Sequence, residues 1–288
     1  MPQLDYIAPT TADEAVRALM AANARPLAGG TDLLVQIRSG RVRPDVIVDL
    51  KGIAGAKSIR TEGGGFVIGA AVSGAELSEH AALVKAWPGV VEGANLIGST
   101  QIQSRATMAG NLCNGSPAAD SVPALIAARA VCLVVGPGGR REVPVESIPT
   151  GPGRTSLAAG EFVLEIRLPP RPARSSDAYL RLIPRTEMDI AVAGAGVNIV
   201  RDASGVVTEA YVALGAVAPT ALLVAEAGAA LVGSKLDEAA LAKLDAAARA
   251  ACRPISDKRG TIEYRTKIAG VLARRAALIA YERAGQAA

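Results

Sequence analysis

The chain has 288 residues, half of them hydrophobic, which is enough to bury a sizeable core and excludes a disordered protein. Its 31 basic and 27 acidic residues leave a formal charge of +4 without a long run of lysine and arginine, so nucleic-acid binding is not expected. The N-terminal residues are neither basic nor continuously apolar, and no stretch has the length of a membrane helix, so we expect a cytoplasmic protein without a membrane span.

Few side chains in the sequence suit metal binding or acid–base catalysis. Cys113, Cys132 and Cys252 match no metal or disulfide spacing, and an iron–sulfur cluster normally needs about four thiolates. His80 is the only histidine, and its position in a helical stretch beside Glu79 predicts a structural residue. We therefore assign no catalytic side chain and no metal ligand, and we expect a bound cofactor to carry the chemistry.

Residues 1–56 predict a small α/β unit of strand, helix, loop and strand. Thr11 and Glu14 have the spacing of a capping box, in which each side chain satisfies a free amide of the other. The helix that follows has an apolar stripe that ends with Met20. The apolar run 45–50 predicts a buried strand.

Residues 57–174 predict a second unit, which ends in the proline- and arginine-rich stretch 169–174. Pro123 stands in the first turn of one predicted helix, where its missing amide has little cost. The predicted elements are strands at 66–72, 131–135 and 161–168, a helical region over 74–97 that is interrupted at Pro88–Gly89, and a helix that begins near Asp120 and Ser121.

Residues 175–288 predict a third unit of strands followed by helices. Strands are expected at 192–200 and 207–217, joined by a turn at 202–205. In the last helix, one face is expected to contain the apolar residues Ile268, Val271, Leu272 and Ile279.

The first candidate site is the loop 28–32, with the sequence Ala-Gly-Gly-Thr-Asp. Adjacent glycines let backbone amides approach an anion closely, and the hydroxyl of Thr31 adds a donor, so the loop suits a diphosphate. Gly-Gly is also a common signal of an ordinary tight turn, and for this loop alone the tight turn is favoured. The loop has neither the lysine of a P-loop nor the three-glycine Rossmann spacing, so at this point both interpretations stay open.

The second candidate site is the segment 107–120, which is dense in small hydrogen-bonding residues. Such a segment can line a polar ligand such as a nucleotide. Asp120 has an alternative role as the N-cap of the helix that follows it. The segment alone does not decide between a ligand site and a structural loop.

Taken together and in this order, the two loops resemble those of the FAD-binding medium subunits of molybdenum hydroxylases. That family includes bacterial carbon monoxide, nicotine and xanthine dehydrogenases. The resemblance extends over nearly the whole chain. Beyond the first loop it is carried by the segments 103–111 (QSRATMAGN), 116–120 (SPAAD), 185–191 (RTEMDIA), 213–220 (ALGAVAPT) and 254–260 (PISDKRG).

The resemblance implies an α+β fold in which a two-part FAD-binding domain of the vanillyl-alcohol oxidase (PCMH) type precedes a C-terminal α+β domain. It implies domain limits at 1–56, 57–174 and 175–288. It also implies an oxidoreductase subunit that holds FAD and passes electrons to a terminal acceptor. The electrons come from 2Fe-2S clusters in a small iron–sulfur subunit. A large subunit with the molybdopterin cofactor completes a heterotrimer that is expected to dimerise.

The resemblance also implies which residues contact FAD. The two loops are expected to wrap the diphosphate, Asp120 to bind the ribityl region, and Arg181 to stand where many relatives have a lysine near the flavin. From the first loop the expected contacts are Leu27, Ala28, Gly29, Gly30, Thr31, Asp32 and Leu33. From the second they are Thr107, Met108, Ala109, Gly110, Asn111, Ser116 and Asp120. The remaining expected contacts are Ile97, Leu164, Arg181, Asp189 and Ile190.

Two positions depart from the family pattern. Ala109 stands where relatives usually have glycine, which is tolerable only at negative φ. Thr31 and Asp32 replace the His-Ser pair typical of carbon monoxide dehydrogenases, which argues weakly against carbon monoxide as the substrate. Two other functions remain: a self-sufficient FAD oxidoreductase, and a non-catalytic nucleotide-binding or scaffolding subunit.

Overall fold

Three β-sheets follow one another along the chain in the computed structural model, which describes residues 4–287. The strands are β1 Asp5–Ile7, β2 Ala24–Leu27, β3 Val46–Asp49, β4 Ile59–Glu62, β5 Gly65–Gly69, β6 Val131–Gly136, β7 Gly139–Pro144, β8 Pro149–Gly151, β9 Arg154–Thr155, β10 Phe162–Leu168, β11 Ser175–Leu182, β12 Ala193–Arg201, β13 Val207–Gly215 and β14 Leu222–Leu223. The first sheet is parallel with the order β1-β3-β2. The second and third sheets are antiparallel, with the orders β4-β5-β10-β6-β7 and β11-β12-β13-β14, and β8 and β9 form a separate pair.

Helices connect the strands and cover the sheets. They are α1 Ala12–Leu19, α2 Leu33–Arg38, α3 Gly74–Glu79, α4 Ala81–Ala86, α5 Pro88–Asn95, α6 Thr100–Gln103, α7 Met108–Cys113, α8 Ser121–Ala127, α9 Ala225–Ala229, α10 Glu238–Ala251 and α11 Ile262–Gln286. Within residues 4–287, none of them combines the length and the apolarity that crossing a membrane requires.

The N-terminal unit confirms the predicted capping box and corrects the predicted stripe. The Thr11 hydroxyl accepts a hydrogen bond from the Glu14 amide at 3.2 Å, while the Glu14 carboxylate accepts from the Thr11 amide. Met20 is 55% exposed, so its assignment to the apolar stripe was wrong. The helix ends at Leu19, and Met20 is its C-cap, beyond the face that packs on the sheet.

The helical region after β5 is divided differently from the prediction. Pro88 occupies the first turn of α5, so Pro88–Gly89 begins a helix instead of interrupting one. The breaks lie at His80 and Trp87, which are the caps of α4. The imidazole Nδ1 of His80 accepts a hydrogen bond from the Leu83 amide at 3.1 Å, a structural role as predicted.

The C-terminal sheet is covered by α11, whose buried face is built mainly from alanines. Of the four predicted apolar residues, only Leu272 is fully buried, whereas Ile268, Val271 and Ile279 lie at the margin. Ile268 and Ile279 still pack against the core of the C-terminal domain, as predicted, whereas Val271 does not belong to that core. Small side chains let the helix approach the sheet closely. The buried alanines are Ala269, Ala273, Ala276, Ala277, Ala280 and Ala284.

The first two sheets and the C-terminal sheet meet through close contacts. A Cβ on Gly196 of β12 would lie 2.6 Å from the backbone oxygen of Pro123, so α8 rests directly on the third sheet. In the proline-rich stretch before β11, the guanidinium of Arg171 stacks 3.9 Å from the ring centroid of Trp87. The same guanidinium pairs with the buried carboxylate of Asp177 at 2.5 Å. The predicted boundary stretch is thus anchored on both sides.

Candidate cofactor site

The first candidate loop connects the end of β2 to the start of α2. Gly30 has φ +81°, a conformation that L side chains rarely adopt. Within the part of the chain that the structure describes, the backbone amides of residues 29–33 and the hydroxyl of Thr31 donate no hydrogen bond. The loop therefore presents a row of free donors, which is the requirement for binding an anion.

A lysine and an aspartate from the end of β3 support this loop. Lys51 Nζ donates to the backbone oxygen of Ala28 at 3.2 Å and to Asp49 Oδ1 at 2.5 Å. Tyr6 of the edge strand donates to the second oxygen of the Asp49 carboxylate. Burial raises the pKa of Asp49, but the hydrogen bonds from Lys51 and Tyr6 and the charge of Lys51 outweigh it and leave the pKa below its usual value. The carboxylate therefore stays ionised and holds Lys51 against the loop.

The second candidate segment begins at Thr107, the N-cap of α7. Its hydroxyl accepts from the Gly110 amide at 2.9 Å, and no hydrogen bond is donated by the amides of Met108 and Ala109 within residues 4–287. The side chain of Met108 is buried in the core, so only its backbone faces the loop surface. Ala109 has negative φ in this helix, and its methyl group is therefore tolerated.

The structure brings the two predicted loops into direct contact. A Cβ on Gly29 would lie 2.0 Å from the backbone oxygen of Arg105, so only glycine permits this approach. Gln36 Nε2 of α2 donates to Asn114 Oδ1 at 2.9 Å, which joins the two segments a second time. The two sets of free amides thus lie side by side, one in the loop between β2 and α2 and the other at the start of α7.

Basic residues surround this contact. A cleft of about 290 Å³ lies between the first two sheets and is bordered by three cations, Lys51, Lys57 and Arg105. Among the described residues that line the cleft, Glu76 alone is acidic, and its carboxylate accepts from the amide and hydroxyl of Ser73. The remaining lining residues are Ala28, Gly29, Ala71 and Ser104. The electrostatic environment favours an anionic ligand.

Two polar residues of the second segment hold its own backbone. Asn111 Oδ1 accepts from the Ser121 hydroxyl at 2.8 Å and from the Ser121 amide at 3.3 Å. The Ser116 hydroxyl accepts from the Ala118 amide at 3.2 Å. The segment is therefore shaped by its own side chains.

Asp120 connects the second segment to the C-terminal sheet. Its carboxylate accepts from the Tyr179 hydroxyl at 3.0 Å and from Arg181 Nη1 at 2.5 Å. Asp120 is the N-cap residue of α8, as the alternative assignment predicted, but its carboxylate makes no capping bond to that helix. Burial raises the pKa of Asp120 from 3.8 to about 6, although Arg181 and Tyr179 oppose the shift. Burial also raises the pKa of Tyr179, which stays a hydrogen-bond donor.

The other predicted FAD contacts differ in burial and in their distance along the chain from the two loops. Leu27 and Leu164 are buried, and Leu164 lies at a register shift of β10, a feature that often re-aims a side chain near a site. Ile97 is half-buried on the chain before α6. Asp189 pairs with Arg185 and Arg259, and Ile190 is 51% exposed. No hydrogen bond or ion pair within residues 4–287 joins these last two predicted residues to either loop.

Two residues of the site escaped the sequence prediction. Tyr179 shares the carboxylate of Asp120 with Arg181, and Lys51 supports the first loop. A signal for Tyr179 did exist, because residues two apart on a strand point to the same face and Arg181 was already a candidate. Nothing near Lys51 in the sequence marks it.

Two family models match this chain. Residues 2–171 match the family model described as the FAD binding domain in molybdopterin dehydrogenase, and residues 178–280 match the CO dehydrogenase flavoprotein C-terminal domain. The chain belongs to this family of flavoproteins. The predicted α+β fold, with its two-part PCMH-type FAD domain and C-terminal α+β domain, is confirmed.

Three relatives of this flavoprotein illustrate the similarity. The carbon monoxide dehydrogenase medium chain of Afipia carboxidovorans is 38% identical over 94% of each chain. The structure of reconstituted CO dehydrogenase from Oligotropha carboxidovorans superposes with a TM-score of 0.93 at 36% identity, covering 98% of this chain and 99% of that one. The quinoline 2-oxidoreductase structure from Pseudomonas putida 86 has a TM-score of 0.89 at 26% identity over 99% of each chain.

Membership in this family makes the chain the FAD-binding component of a molybdenum-containing oxidoreductase. The residues present fit that cofactor. A diphosphate needs several donors close together, and the amides of 29–33 and of Met108 and Ala109 supply them on touching loops. A buried guanidinium with unused donors, that of Arg181, lies at the other end of the second segment.

Proposed function

We propose that the loops 28–32 and 107–111 bind the diphosphate of FAD and that the chain relays electrons within a larger complex. One observation carries the proposal: unpaired backbone amides of two touching loops, with basic side chains beside them. The FAD, when bound, accepts electrons from iron–sulfur clusters of a small partner subunit and donates them to a terminal acceptor. Substrate hydroxylation belongs to a large molybdopterin subunit.

The chain's own residues then act by binding and orientation. The amides of the first loop, the hydroxyl of Thr31 and the amides of Met108 and Ala109 would hold the diphosphate by hydrogen bonds when FAD is bound. Thr107 fixes the second loop through its bond to Gly110. Preorganised donors of this kind bind charge without reorganising, which is the main contribution of a protein to a cofactor site.

Apolar and charged side chains complete the proposed site along the rest of the cofactor. Leu27, Leu33, Ile97 and Leu164 provide apolar surface, and Asn111 and Ser116 hold the connecting segment. Asp120 and Arg181 face the flavin half. Asp189 and Ile190 lie on an exposed loop, and we propose that this loop reaches the flavin only at its edge.

The surroundings of the chain are also part of the proposal. We propose that the heterotrimer forms a dimer in the cytoplasm, and that the domain limits are 1–56, 57–174 and 175–288. The three sheets fall within these limits, which supports them. The pair Thr31 and Asp32 predicts a substrate other than carbon monoxide. This stays a prediction, because we propose that the substrate binds to another subunit.

The absorbance spectrum of the purified chain tests this function. We expect a flavin spectrum and release of FAD on denaturation. We also expect Thr31→Val to weaken FAD binding, because the Thr31 hydroxyl makes no hydrogen bond to another residue of the described range 4–287. Thr61→Val, an exposed change on β4, is the matched control and should leave binding unchanged. A colourless chain that stays colourless with added FAD, alone and in the assembled complex, would support a scaffolding subunit. Steady substrate turnover by the isolated chain would instead support a self-sufficient oxidoreductase.

A further inference from the structure

The helix α2 is apolar in composition, yet the chain does not bury it. Four of its six residues are Leu33, Leu34, Val35 and Ile37. Within residues 4–287, nothing buries any side chain of this helix, and Leu34 and Val35 are 52% and 63% exposed. Short helices in proteins are normally stabilised by packing of an apolar face. Adjacent exposed apolar residues of this kind indicate a surface that another molecule covers.

Arginines accompany these apolar residues. Arg41 and Arg43 of the segment after α2, together with Arg25 of β2, line a cleft of about 380 Å³. Arg38 belongs to the last turn of α2 itself. None of the four arginines forms an ion pair within the described range 4–287, and none of the described residues that line the cleft is acidic. This surface therefore attracts a negatively charged partner.

Hydrogen bonds hold the helix and the basic segment in one arrangement. The backbone oxygen of Gln36 accepts from the amides of Arg41 at 3.0 Å and of Val42 at 3.3 Å. Gly40 has φ +74°, which lets the chain turn back to make these bonds. The side chain of Gln36 donates to Asn114 at 2.9 Å, so that face of α2 is directed toward the second loop. The α2 surface, defined as α2 with Arg25, Arg38, Arg41 and Arg43, is therefore preformed.

We propose that the α2 surface is the docking face for an acidic surface of the iron–sulfur subunit that donates electrons to this chain. This inference rests on the proposed function, because it names where the electron donor of the bound FAD docks. The helix follows the loop 28–32 directly and is only about 9 Å long, at about 1.5 Å per residue. A protein that covers α2 therefore lies beside the proposed cofactor site, as an electron donor must.

Charge and composition favour this occupant over the alternatives. Arginine is enriched and lysine is depleted at protein–protein interfaces, and all four cations of the α2 surface are arginines. A second copy of this chain on the same face would place the arginines opposite one another across a two-fold axis, where they repel. A nucleic acid would contact the arginines mainly through phosphates and would leave Leu34 and Val35 uncovered. The surface instead fits carboxylates around a small apolar centre.

Photo-cross-linking in the assembled complex identifies the occupant. The variant Val35→p-benzoylphenylalanine places a photoreactive group at the centre of the α2 surface. We expect it to form a cross-link to the iron–sulfur subunit on illumination. Lys243→p-benzoylphenylalanine is the matched control, because Lys243 is equally exposed to solvent but lies on α10 of the C-terminal domain. It should form no cross-link to that subunit.

The affinity between the subunits tests the charges. The FAD-loaded chain is titrated into the complex of the other two subunits at two salt concentrations. We expect Arg41→Glu/Arg43→Glu to weaken binding at least about tenfold at about 50 mM salt and clearly less at about 500 mM, because salt screens exposed charges. Val35→Ser should weaken binding about threefold at both, because it removes apolar contact. Arg140→Glu/Lys243→Glu changes the net charge equally at other exposed positions and should bind like the wild type.

Two results would overturn the docking surface. One is a cross-link from position 35 to the large subunit, to a second copy of this chain or to nucleic acid, or no cross-link at all. The other is equal affinity of Arg41→Glu/Arg43→Glu and its control. The flavin spectrum of each chain separates these failures from a failure of the proposed function. A wild-type chain that binds no FAD, alone or in the complex, would overturn the proposed function, whereas FAD-loaded variants that fail these tests overturn the docking surface alone.

Discussion

The carboxylate of Asp120 and the guanidinium of Arg181 form an ion pair across two parts of the fold. Asp120 precedes α8, which packs with the second sheet, whereas Arg181 belongs to the edge strand β11 of the third. The pair is buried on both sides, so breaking it is costly. Residues of the proposed site thus form one of the contacts between the FAD-binding half and the C-terminal half.

The pH dependence of stability tests the environment of Asp120. Its pKa is raised from 3.8 to about 6 by burial, so the folded state binds this proton more tightly than the unfolded chain. Stability from this group therefore increases as the pH falls from about 6 to 3.8, by on the order of 3 kcal/mol. Urea unfolding measures this for the FAD-free wild-type chain and its Asp120→Asn variant. The free energy of unfolding of the wild type, relative to the variant, should rise as the pH falls from about 6 to 3.8. A difference that shrinks on acidification would mean that the ionised pair stabilises the fold.

The contact between the two loops is tested by Gly29→Ala. The added Cβ would lie 2.0 Å from the backbone oxygen of Arg105, so the loops must separate. We expect FAD binding to weaken at least about tenfold, or about 1.4 kcal/mol, as measured by equilibrium titration. Gly138→Ala is the matched control, because its Cβ would meet nothing within 4 Å and its φ is not positive. Equal affinity in the two variants would show that the loop contact does not shape the site.

Ala109→Gly introduces the glycine that the family resemblance predicts at this position. In α7 this change increases the flexibility of the unfolded chain and should lower stability by about 0.5–1 kcal/mol. The amide of residue 109 keeps its place, so FAD affinity should stay within about threefold of the wild type, or roughly 0.7 kcal/mol. Urea unfolding and FAD titration measure the two effects separately. A large gain in affinity would show that the Ala109 methyl obstructs the cofactor.

Arg171→Ala tests the anchor of the proline-rich stretch. The change leaves the buried carboxylate of Asp177 without its ion-pair partner, so we expect a loss of about 3–5 kcal/mol in the free energy of unfolding. The stacked ring of Trp87, the only tryptophan, should report the same change by its fluorescence. Arg140→Ala, an exposed change on β7, is the control. A small loss would mean that water enters and solvates Asp177.

Local chemistry explains most of what the sequence predicted correctly. The capping box at Thr11 and Glu14 depends on residues three apart, and the start of α8 depends on Pro123 in its first turn. Such signals act within one turn of chain. The error at Pro88 is of the same kind, because a proline can begin a helix as well as interrupt one.

The features that the sequence could not show depend on partners distant along the chain. The alanine face of α11 is only weakly hydrophobic. It is buried in the core because the third sheet packs against it. Asp120 had the pattern of a helix cap, but Tyr179 and Arg181 bind its carboxylate instead. No local periodicity specifies which distant donor a buried carboxylate will meet, so that part of the site required the tertiary structure.

The division of the proposed site between the two halves of the chain has a consequence for biosynthesis. The loops that hold the diphosphate leave the ribosome well before β11, which carries Tyr179 and Arg181. Until that strand has joined its sheet, the buried carboxylate of Asp120 has no cation and the flavin end of the site has no wall. We therefore expect the cofactor site to be complete only after the C-terminal half has folded.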